Sequence, residues 1–287
     1  MDISIVIPNL NSPIIDLVVR SILAQEINLS FEVIVVGMDK SGLIPKDPRV
    51  IEIRTEEVTP AGLARNIGVE ASRGDLIVFI DADCIVSKEM LVQHVIVHER
   101  LPSSLVGGSV LFPREGYLHV CDNVSTFHAY MPHLPESKRR VVPSLNMSLQ
   151  RTTWKLLNGF DPRYRFTGED TDFTDRARHL GITVVFSPLP KVTHHHGRMG
   201  LKAVLNHAFR FGQDTLIFNF LDNDQVSLAR RAIFAIGSPM VALVIVIKIL
   251  FHSKLPIRYW HTLPMVYVAK MTWSLGVAIR HSQRHSE

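Results

Sequence analysis

Cysteine is scarce in this sequence of 287 residues, which contains only Cys84 and Cys121. The two lie far apart and no Cys-x-x-Cys pair occurs, so neither a disulfide framework nor a cysteine zinc site is indicated, and a reducing compartment is expected. A clustered excess of basic residues is also missing, because 31 lysines and arginines face 27 acidic residues. Nucleic-acid binding by phosphate neutralisation is therefore not expected. The first residues lack the basic and long apolar regions of a signal peptide, so no secretion is predicted.

The first hundred residues alternate between short β-branched runs and helical patterns. Such alternation is typical of βαβ units, and it predicts an α/β fold with a mainly parallel, Rossmann-like sheet. The predicted strands cover 3–8, 31–36, 50–54 and 76–80. The predicted helices begin near Ser12-Pro13 and Thr59-Pro60, because a capping hydroxyl followed by proline is a common helix start.

The pattern loosens after residue 84. We predict a helix over 90–101, a strand over 106–111 and a loop-rich insertion from Pro113 to Val142, and then a return to α/β order up to a strand over 182–186. The composition changes again near residue 229. Three parts are therefore predicted, which are an α/β domain over 1–200, a connecting amphipathic segment over 201–228 and a hydrophobic helical tail over 229–287.

Two stretches of the tail, 232–247 and 263–279, are nearly free of charge and are membrane candidates. A spanning helix needs about 20 apolar residues, so both are borderline in length, and Lys270 weakens the second. Basic residues on every flank prevent an assignment of orientation from charge. A spanning hairpin and two interfacial helices on the cytoplasmic face of the cell membrane are both open, and ordinary core helices are a third possibility.

Asp81 and Asp83 directly follow the apolar run 76–80. Open α/β sheets bind ligands at the carboxyl ends of their strands, and two carboxylates at this spacing can reach one metal, or one metal and a sugar hydroxyl. The alternative is an ordinary turn at the end of a strand. The position after a buried strand favours the ligand site.

Glu169, Asp170 and Asp172 stand after a glycine at the start of a predicted helix. One carboxylate there is explained by helix capping and the helix dipole. Three like charges are unfavourable unless a metal, a basic group or a bound proton compensates them. A general base is therefore the alternative to a plain cap.

Three consecutive histidines, His194 to His196, precede Gly197-Arg198. If the segment is extended, His194 and His196 point to one face. Neutral imidazoles bind transition metals and arginine pairs with phosphate, so a metal or phosphate site is one interpretation and structural histidines are the other.

Several of these segments together resemble family 2 glycosyltransferases. The resemblance rests on Ser4-Ile5-Val6-Ile7-Pro8, Ala64-Arg65-Asn66-Ile67-Gly68, Phe79-Ile80-Asp81-Ala82-Asp83, Gly159-Phe160-Asp161 and Gly168-Glu169-Asp170-Thr171-Asp172, in this order. It covers roughly residues 1–200. It implies the GT-A fold, which binds nucleotide-diphosphate sugars, and an inverting glycosyl transfer.

The resemblance also implies roles for single residues. In the donor site, Pro8 and Asn11 would line the nucleotide pocket, Arg65 would approach the nucleotide, and Asp81 would contact ribose or the donor sugar. Family members usually carry an Asp-Asp-Gly-Ser type run after the second strand, where this chain has Val36-Gly37-Met38-Asp39-Lys40-Ser41. Asp39 is the candidate to replace it.

For the reaction itself, the resemblance implies a divalent metal, Mn²⁺ or Mg²⁺, bound by Asp83, with His194 or His196 completing the metal or diphosphate site. Asp170 would be the base that takes the proton of the acceptor hydroxyl, and Glu169 would orient the acceptor. Such a division of work is chemically coherent, since a metal neutralises the leaving diphosphate while a carboxylate activates the attacking hydroxyl.

The Gln-x-x-Arg-Trp motif of processive polysaccharide synthases is absent, which favours a single transfer over polymerisation. The hydrophobic tail suggests membrane association and a lipid-linked or cell-envelope acceptor. Two other functions are open. One is a nucleotide-sugar-binding protein without turnover, and the other is a sugar nucleotidyltransferase, although the loop Asn9-Leu10-Asn11-Ser12 is not the glycine-rich, lysine-bearing loop expected there.

Overall fold

The computed structural model describes residues 1–113, 116–165, 167–215 and 228–279. The chain forms two compact units. The first contains Met1–Leu111 and Tyr130–His195, and the second contains Phe112–Ala129 together with the chain from His196 onward.

The first unit is an α/β structure built on one sheet. Its strands are β1 (Ile3–Leu10), β2 (Phe31–Met38), β3 (Val50–Arg54), β4 (Leu76–Ile80), β5 (Cys84–Val86), β6 (Leu105–Leu111), β7 (Ser137–Lys138), β8 (Asn146–Gln150) and β9 (Val184–His194). Its helices are α1 (Ile15–Leu23), α2 (Ala61–Ala71), α3 (Met90–Arg100), α5 (Arg151–Leu157) and α6 (Glu169–His179), with α4 (Tyr117–Phe127) belonging to the second unit. The predicted α/β class is confirmed.

The sheet is mixed rather than mainly parallel. Its order is β3-β2-β1-β4-β8-β6-β9-β5, with β7 added beside β9. The pairs among β3, β2, β1 and β4 are parallel, but β8 runs antiparallel to both β4 and β6, and β5 and β7 run antiparallel to β9. The prediction therefore holds for the four strands that come from βαβ units. It is wrong for most pairs of the remaining strands, although β6 and β9 are parallel, because these strands are not joined by the βαβ units that fix a parallel direction.

Close packing of α2 on the sheet depends on a glycine. A Cβ atom at Gly68 would lie 2.3 Å from Cγ1 of Val6 on β1. Val6 is fully buried, so it has no room to move away. Gly68 thus fixes the distance between α2 and the sheet, and with it the position of the α2 residues that face the site.

The second unit is helical. It contains α4, α7 (Leu201–Thr215), α8 (Leu228–Ile236), α9 (Ser238–Phe251) and α10 (Leu263–Ala278), with a 3-10 turn at Ile257–Thr262. Helices α7 and α10 approach each other closely through glycines. A Cβ at Gly212 would lie 2.1 Å from the Trp273 carbonyl oxygen, and one at Gly276 would lie 2.1 Å from that of Phe209.

One prediction about these regions needs correction, and a second is only partly covered by the described residues. The segment 113–142 was expected to be loop-rich, yet it contains α4; polar His119, Asp122 and Asn123 are buried in that helix, so its sequence lacks an apolar stripe. The predicted segment 201–228 coincides with α7 up to Thr215, and residues 216–227 lie outside the described residues.

The spanning hairpin, one of the three alternatives for the tail, is not found in the part of the tail that the structure describes. Helices α9 and α10 contain 14 and 16 residues, against the roughly 20 needed to cross a bilayer. Among the helices that the structure describes, none is both long enough and apolar enough to do so.

Candidate active site

The Asp81-to-Asp83 turn lies at the carboxyl end of β4 and leads directly into β5. The hydroxyl of Ser12 donates a 2.6 Å hydrogen bond to the carbonyl of Ala82. The amide of His195 donates to the carbonyl of Asp83 at 2.8 Å. The chain after β1 and the end of β9 therefore hold this turn on two sides, which argues for a built site rather than a simple strand end.

Arg65 of α2 joins two carboxylates of the site. Its Nη2 donates to Oδ1 of Asp81 at 2.6 Å and its Nη1 donates to Oε1 of Glu169 at 2.8 Å. Burial alone would lower the pKa of Arg65, but Asp81 and Glu169 outweigh it and raise the pKa. Burial and the neighbouring Asp83 raise the pKa of Asp81, although Arg65 opposes them.

The three acidic residues at the start of α6 have different surroundings. Gly168 precedes them with a φ of +99°, a left-handed conformation suited to glycine. Glu169 pairs with Arg65, and Asp172 accepts a 2.8 Å hydrogen bond from Nε of Arg176 one helical turn later. Both therefore have a cationic partner.

Asp170 is the exception, because its charge is disfavoured. Burial, followed by the adjacent charge of Glu169, raises the pKa of Asp170 to about 7, against the opposing effects of Arg65 and of backbone hydrogen bonds from Thr171 and Ser144. A carboxyl group that titrates near neutral pH can accept a proton from a substrate hydroxyl and release it again. The local charges thus support the base interpretation for Asp170, whereas the charge of Asp172 is compensated by Arg176 within α6.

A backbone clamp holds the segment before α6 in place. The side-chain amide of Asn66 donates to the carbonyl of Phe160 at 2.8 Å and accepts from the amide of Phe160 at 2.9 Å. The Phe160 ring stacks on Phe173 of α6, with ring centroids 4.4 Å apart. Two neighbouring residues of α2 therefore have different roles. Arg65 neutralises carboxylates, and Asn66 orients the chain that carries them. No separate role for Asn66 was predicted from the sequence.

Three potential metal ligands meet where β5 pairs with β9. Cys84 and His194 are direct partners in this antiparallel pair, so their side chains lie on the same face. Nε2 of His194 lies 3.5 Å from Oδ2 of Asp83, and Sγ of Cys84 lies 3.8 Å from Oδ1 of Asp83. One ligand atom from each residue lies within 4.8 Å of the others. This O, S and N set fits a divalent cation.

Cys84 was not predicted from the sequence as a ligand, because the cysteines were used only to judge disulfides and a cysteine zinc site. Its position next to Asp83 was the available signal. Burial, with the charges of Asp83 and Asp81, raises the pKa of the Cys84 thiol well above its usual value. The thiol therefore stays protonated unless a cation compensates the thiolate.

His196 lies in the second unit, where it belongs to a different cluster. Its Nε2 is 3.3 Å from Oδ2 of the buried Asp122, and its ring stacks on His119 with centroids 4.0 Å apart. Asp122 also accepts a 2.8 Å hydrogen bond from Arg198 and lies 2.9 Å from Nδ1 of His207. Burial would raise the pKa of Asp122, but His207 and Arg198 lower it strongly. Asp122 thus holds the residues that follow the histidine run.

The predicted donor-binding residues Pro8, Asn11 and Asp39 lie on or after β1 and β2. Asn11 has a φ of +53°, and its side-chain oxygen accepts a 2.8 Å hydrogen bond from the amide of Lys40. Oδ2 of Asp39 accepts from the amide of Ile44 at 2.9 Å. Pro8 is half-buried on β1. The bond of Asn11 links the loop after β1 to the loop after β2, and the bond of Asp39 lies within the loop after β2.

A cavity of about 650 Å³ lies beside these loops in the first unit. Its lining includes Asp39, Lys46, Glu52 and Arg54. That volume is within the roughly 300–1,000 Å³ of small-molecule sites. Of the predicted donor residues, Asp39 contributes to the cavity wall.

Comparison with known proteins agrees with this arrangement. Residues 1–213 match the family described as glycosyltransferase like family 2. Glycosyltransferase AglE of Haloferax volcanii is 27% identical over 174 residues, which are 61% of this chain and 55% of AglE. The chain thus spans about half the length of this relative.

Two solved structures share the fold at low sequence identity. TarS 1-349 of S. aureus in complex with UDP-GlcNAc matches with a TM-score of 0.51 and 14% identity, over 97% of this chain and 90% of that one. GalNAc-T7 with UDP, GalNAc and Mn²⁺ matches with a TM-score of 0.54 and 15% identity, over 68% of this chain and 44% of that one. At these identities the likeness concerns the fold alone.

Proposed function

The chain belongs to glycosyltransferase like family 2, and we propose that it transfers a sugar from a nucleotide-diphosphate sugar to an acceptor hydroxyl with inversion at the anomeric carbon. The observation that carries this proposal is the arrangement in which Arg65 joins Asp81, at the end of β4, to Glu169, the direct neighbour of Asp170. The carboxyl group of Asp170 lies in the same unit as the Asp81-to-Asp83 turn. A base and a candidate donor site are the two parts that such a reaction needs.

In the proposed reaction, the carboxylate of Asp170 accepts the proton of the acceptor hydroxyl as its oxygen attacks the anomeric carbon. The bond from that carbon to the diphosphate oxygen breaks, and the nucleoside diphosphate leaves with the electron pair. A single displacement of this kind inverts the configuration. Because the pKa of Asp170 is near neutral, the group is a stronger base than an ordinary aspartate.

Glu169 and Arg65 act on the arrangement of the site. Arg65 is 2% exposed and is bonded to two carboxylates, so we assign it a positioning role rather than the direct nucleotide contact implied by the resemblance. Its pairing with Glu169 keeps the charge beside Asp170, which raises the pKa of Asp170. The Asp81 side chain remains 31% exposed and can accept a ribose or sugar hydroxyl.

Asp83, Cys84 and His194 are the residues that would hold a divalent cation, Mn²⁺ or Mg²⁺. Bound there, the cation would neutralise the charge that develops on the leaving diphosphate. Imidazole and thiol ligands suit Mn²⁺ better than Mg²⁺, which prefers oxygen ligands. The GalNAc-T7 structure was solved with Mn²⁺, which supports the same choice.

The donor class is supported by the UDP-GlcNAc bound to TarS and by the UDP present with GalNAc-T7. A lipid-linked or cell-envelope glycan as acceptor, and a location at the cytoplasmic face of the membrane, stay predictions. The protonation behaviour of Asp170 favours turnover over a binding protein without activity. The loop after β1, which contains Asn9 and Asn11 instead of glycines and lysine, argues against a nucleotidyltransferase.

The test combines donor binding with product release. The purified chain is titrated calorimetrically with UDP, GDP, CDP and dTDP sugars in Mn²⁺, in Mg²⁺ and in chelator, and release of the nucleoside diphosphate is followed with a panel of hydroxyl acceptors. We expect metal-dependent binding of one nucleotide class. Asp83→Ala should lose that binding, whereas Asp170→Asn should keep it and lose release.

Two outcomes would overturn the proposal. Asp170→Asn releasing product at the wild-type rate would remove the base assignment. If the wild-type chain binds none of these nucleotides with either metal, the proposed transfer would be rejected in favour of a scaffold function.

A further inference from the structure

Helix α9 carries an apolar stripe on its exposed face. The stripe consists of large side chains spaced at i, i+3, i+4, i+7 and i+11, namely Met240, Leu243, Val244, Ile247 and Phe251, of which Met240 and Phe251 are 65% and 69% exposed. The other side of α9 is buried in the second unit, since Ala242 and Ile249 are fully inaccessible. Apolar side chains therefore occupy both faces of this helix, and within the described residues only one face is used for packing.

The stripe extends beyond α9 at both ends. Ile233 and Ile236 of α8 are 59% and 84% exposed, and Ile257 and Trp260 of the 3-10 turn are also exposed. We call this set, from Ile233 to Trp260, the apolar face. Exposed apolar residues on this scale mark an interaction surface rather than ordinary scatter.

The charge of this region has one sign. From Leu228 to Ile279 the sequence contains no aspartate and no glutamate, while it contains six lysines and arginines. Three of them, Lys248, Lys254 and Arg258, are exposed beside the apolar face. The surface thus combines apolar side chains with a purely basic surround, which is the complement of an anionic lipid surface.

Trp260 has a geometry suited to the lipid headgroup region. Its indole Nε1 donates a 3.0 Å hydrogen bond to the carbonyl of Leu255. Because this donor is already satisfied within the protein, the ring can leave water without losing a hydrogen bond. Amphipathic aromatic rings of this kind are enriched at membrane interfaces.

We propose that the apolar face binds the surface of an anionic lipid bilayer, with α8 and α9 lying in the interface and neither helix crossing it. Helix α9 has 14 residues and is therefore about 21 Å long at 1.5 Å per residue, shorter than the roughly 30 Å hydrocarbon layer. Its opposite side is already committed to packing within the second unit. Helix α9 can therefore insert its exposed side into the lipid surface, but it cannot cross the bilayer.

A second copy of the chain is a poorer occupant of the same face. In a twofold dimer the same patch meets itself, so Lys248, Lys254 and Arg258 would face like charges with no acidic residue in the segment to pair with them. An anionic bilayer supplies the missing negative charge. The proposal does not rest on glycosyl transfer, so the two can fail separately.

The experiment is vesicle flotation of the full chain, with vesicles of phosphatidylcholine alone and of phosphatidylcholine with about 30% phosphatidylglycerol. We expect binding to the anionic vesicles that weakens at high salt, because headgroup attraction is screened. Phe251→Glu and Ile247→Glu should each reduce the partition coefficient at least tenfold. The matched control is Leu156→Glu, because Leu156 of the first unit is 70% exposed and lies outside the apolar face.

Two further measurements test the binding mode. Trp260→Phe should remove the blue shift of tryptophan emission on vesicle binding, and extraction at alkaline pH should release the wild-type chain. Retention after alkaline extraction would overturn the interfacial mode. Equal binding by wild type and Phe251→Glu would overturn the assignment of the face. If the wild-type chain forms a dimer that Phe251→Glu dissociates, and if the wild type does not bind vesicles, the apolar face would be a dimer interface instead.

Discussion

Arg65 and Glu169 are 104 positions apart in the sequence, yet Nη1 of Arg65 donates a 2.8 Å hydrogen bond to the carboxylate of Glu169. The same guanidinium reaches Asp81 at the end of β4. One buried cation thus connects α2, the turn after β4 and the start of α6, where Asp81, Glu169 and Asp170 lie. Burial and the charge of Glu169 raise the pKa of Asp170, and Arg65, which is bonded to the two other carboxylates, offsets them only in part.

Replacing Arg65 by methionine should strongly destabilise the protein. The change leaves Asp81 and Glu169 without their partner, and breaking a buried ion pair from one side costs about 3–5 kcal/mol. Arg65→Lys should destabilise the protein less than Arg65→Met, since an ammonium group keeps the charge but lacks the planar guanidinium that bonds to both carboxylates. Urea denaturation measures the free energy of unfolding of each variant.

The control is Arg54→Met, because Arg54 also pairs with a carboxylate, that of Glu52 at 2.6 Å, but is 69% exposed. Its loss should have little effect on the free energy of unfolding, because the pair is exposed to solvent. Equal losses for Arg65→Met and Arg54→Met would contradict the structural role given to Arg65.

The rate of glycosyl transfer should depend on pH through Asp170. The base works only when deprotonated, and its pKa is about 7. The rate should therefore fall about tenfold per pH unit below neutrality and level off above it. A profile at saturating donor, with donor affinity measured at each pH, separates this effect from binding. A flat profile between pH 5 and 8 would contradict the assignment.

The same pKa predicts a stability effect of the opposite sign. Since the folded-state pKa of Asp170 is raised above the unfolded value, stability is highest below the unfolded pKa and is lost as the pH rises through the folded pKa. Asp170→Asn should therefore melt at a higher temperature than wild type at pH 8, by a few degrees. The difference should vanish near pH 4. A lower melting temperature for the variant at pH 8 would show that the ionised group is stabilising.

The fold was predictable where local pattern and topology agree. The buried runs 76–80 and 31–36 are strands, and Arg65 joins the carboxylate of Asp81, after β4, to that of Glu169, at the start of α6. The pairing of Cys84 with His194 was not predictable, because register between strands 110 positions apart depends on tertiary packing. Helix α4 was missed for a related reason, since its buried Asp122 is compensated by Arg198 and His207, which no local pattern reveals.

Cobalt substitution should reveal Cys84 as a metal ligand. A thiolate bound to Co²⁺ gives an intense near-ultraviolet charge-transfer band, so the wild-type chain loaded with Co²⁺ should show it and Cys84→Ala should not. Affinity for the metal should fall by at least the roughly 10- to 100-fold that loss of an outer-sphere partner costs. Cys121→Ala is the matched control, because Cys121 is also buried but lies in the second unit. Absence of the band in the wild-type chain would leave Asp83 and His194 as the ligands, and its persistence in Cys84→Ala would assign the band to Cys121.

Lys270 of α10 should destabilise the protein at neutral pH. Burial lowers the pKa of Lys270 to about 8, against the opposing charge of Asp122. A lysine whose folded-state pKa lies below its unfolded value makes the fold less stable when it must stay charged, and the penalty disappears as the pH rises from the folded to the unfolded value. Lys270→Met should therefore increase the free energy of unfolding at pH 7 by about 1–2 kcal/mol. Near pH 10.5 it should have little effect.

Thermal melts of wild type, Lys270→Met and the exposed control Lys202→Met at both pH values check this, since Lys202 is on the surface of α7. A loss of stability in Lys270→Met at pH 7 would mean that attraction to Asp122 outweighs the cost of burial.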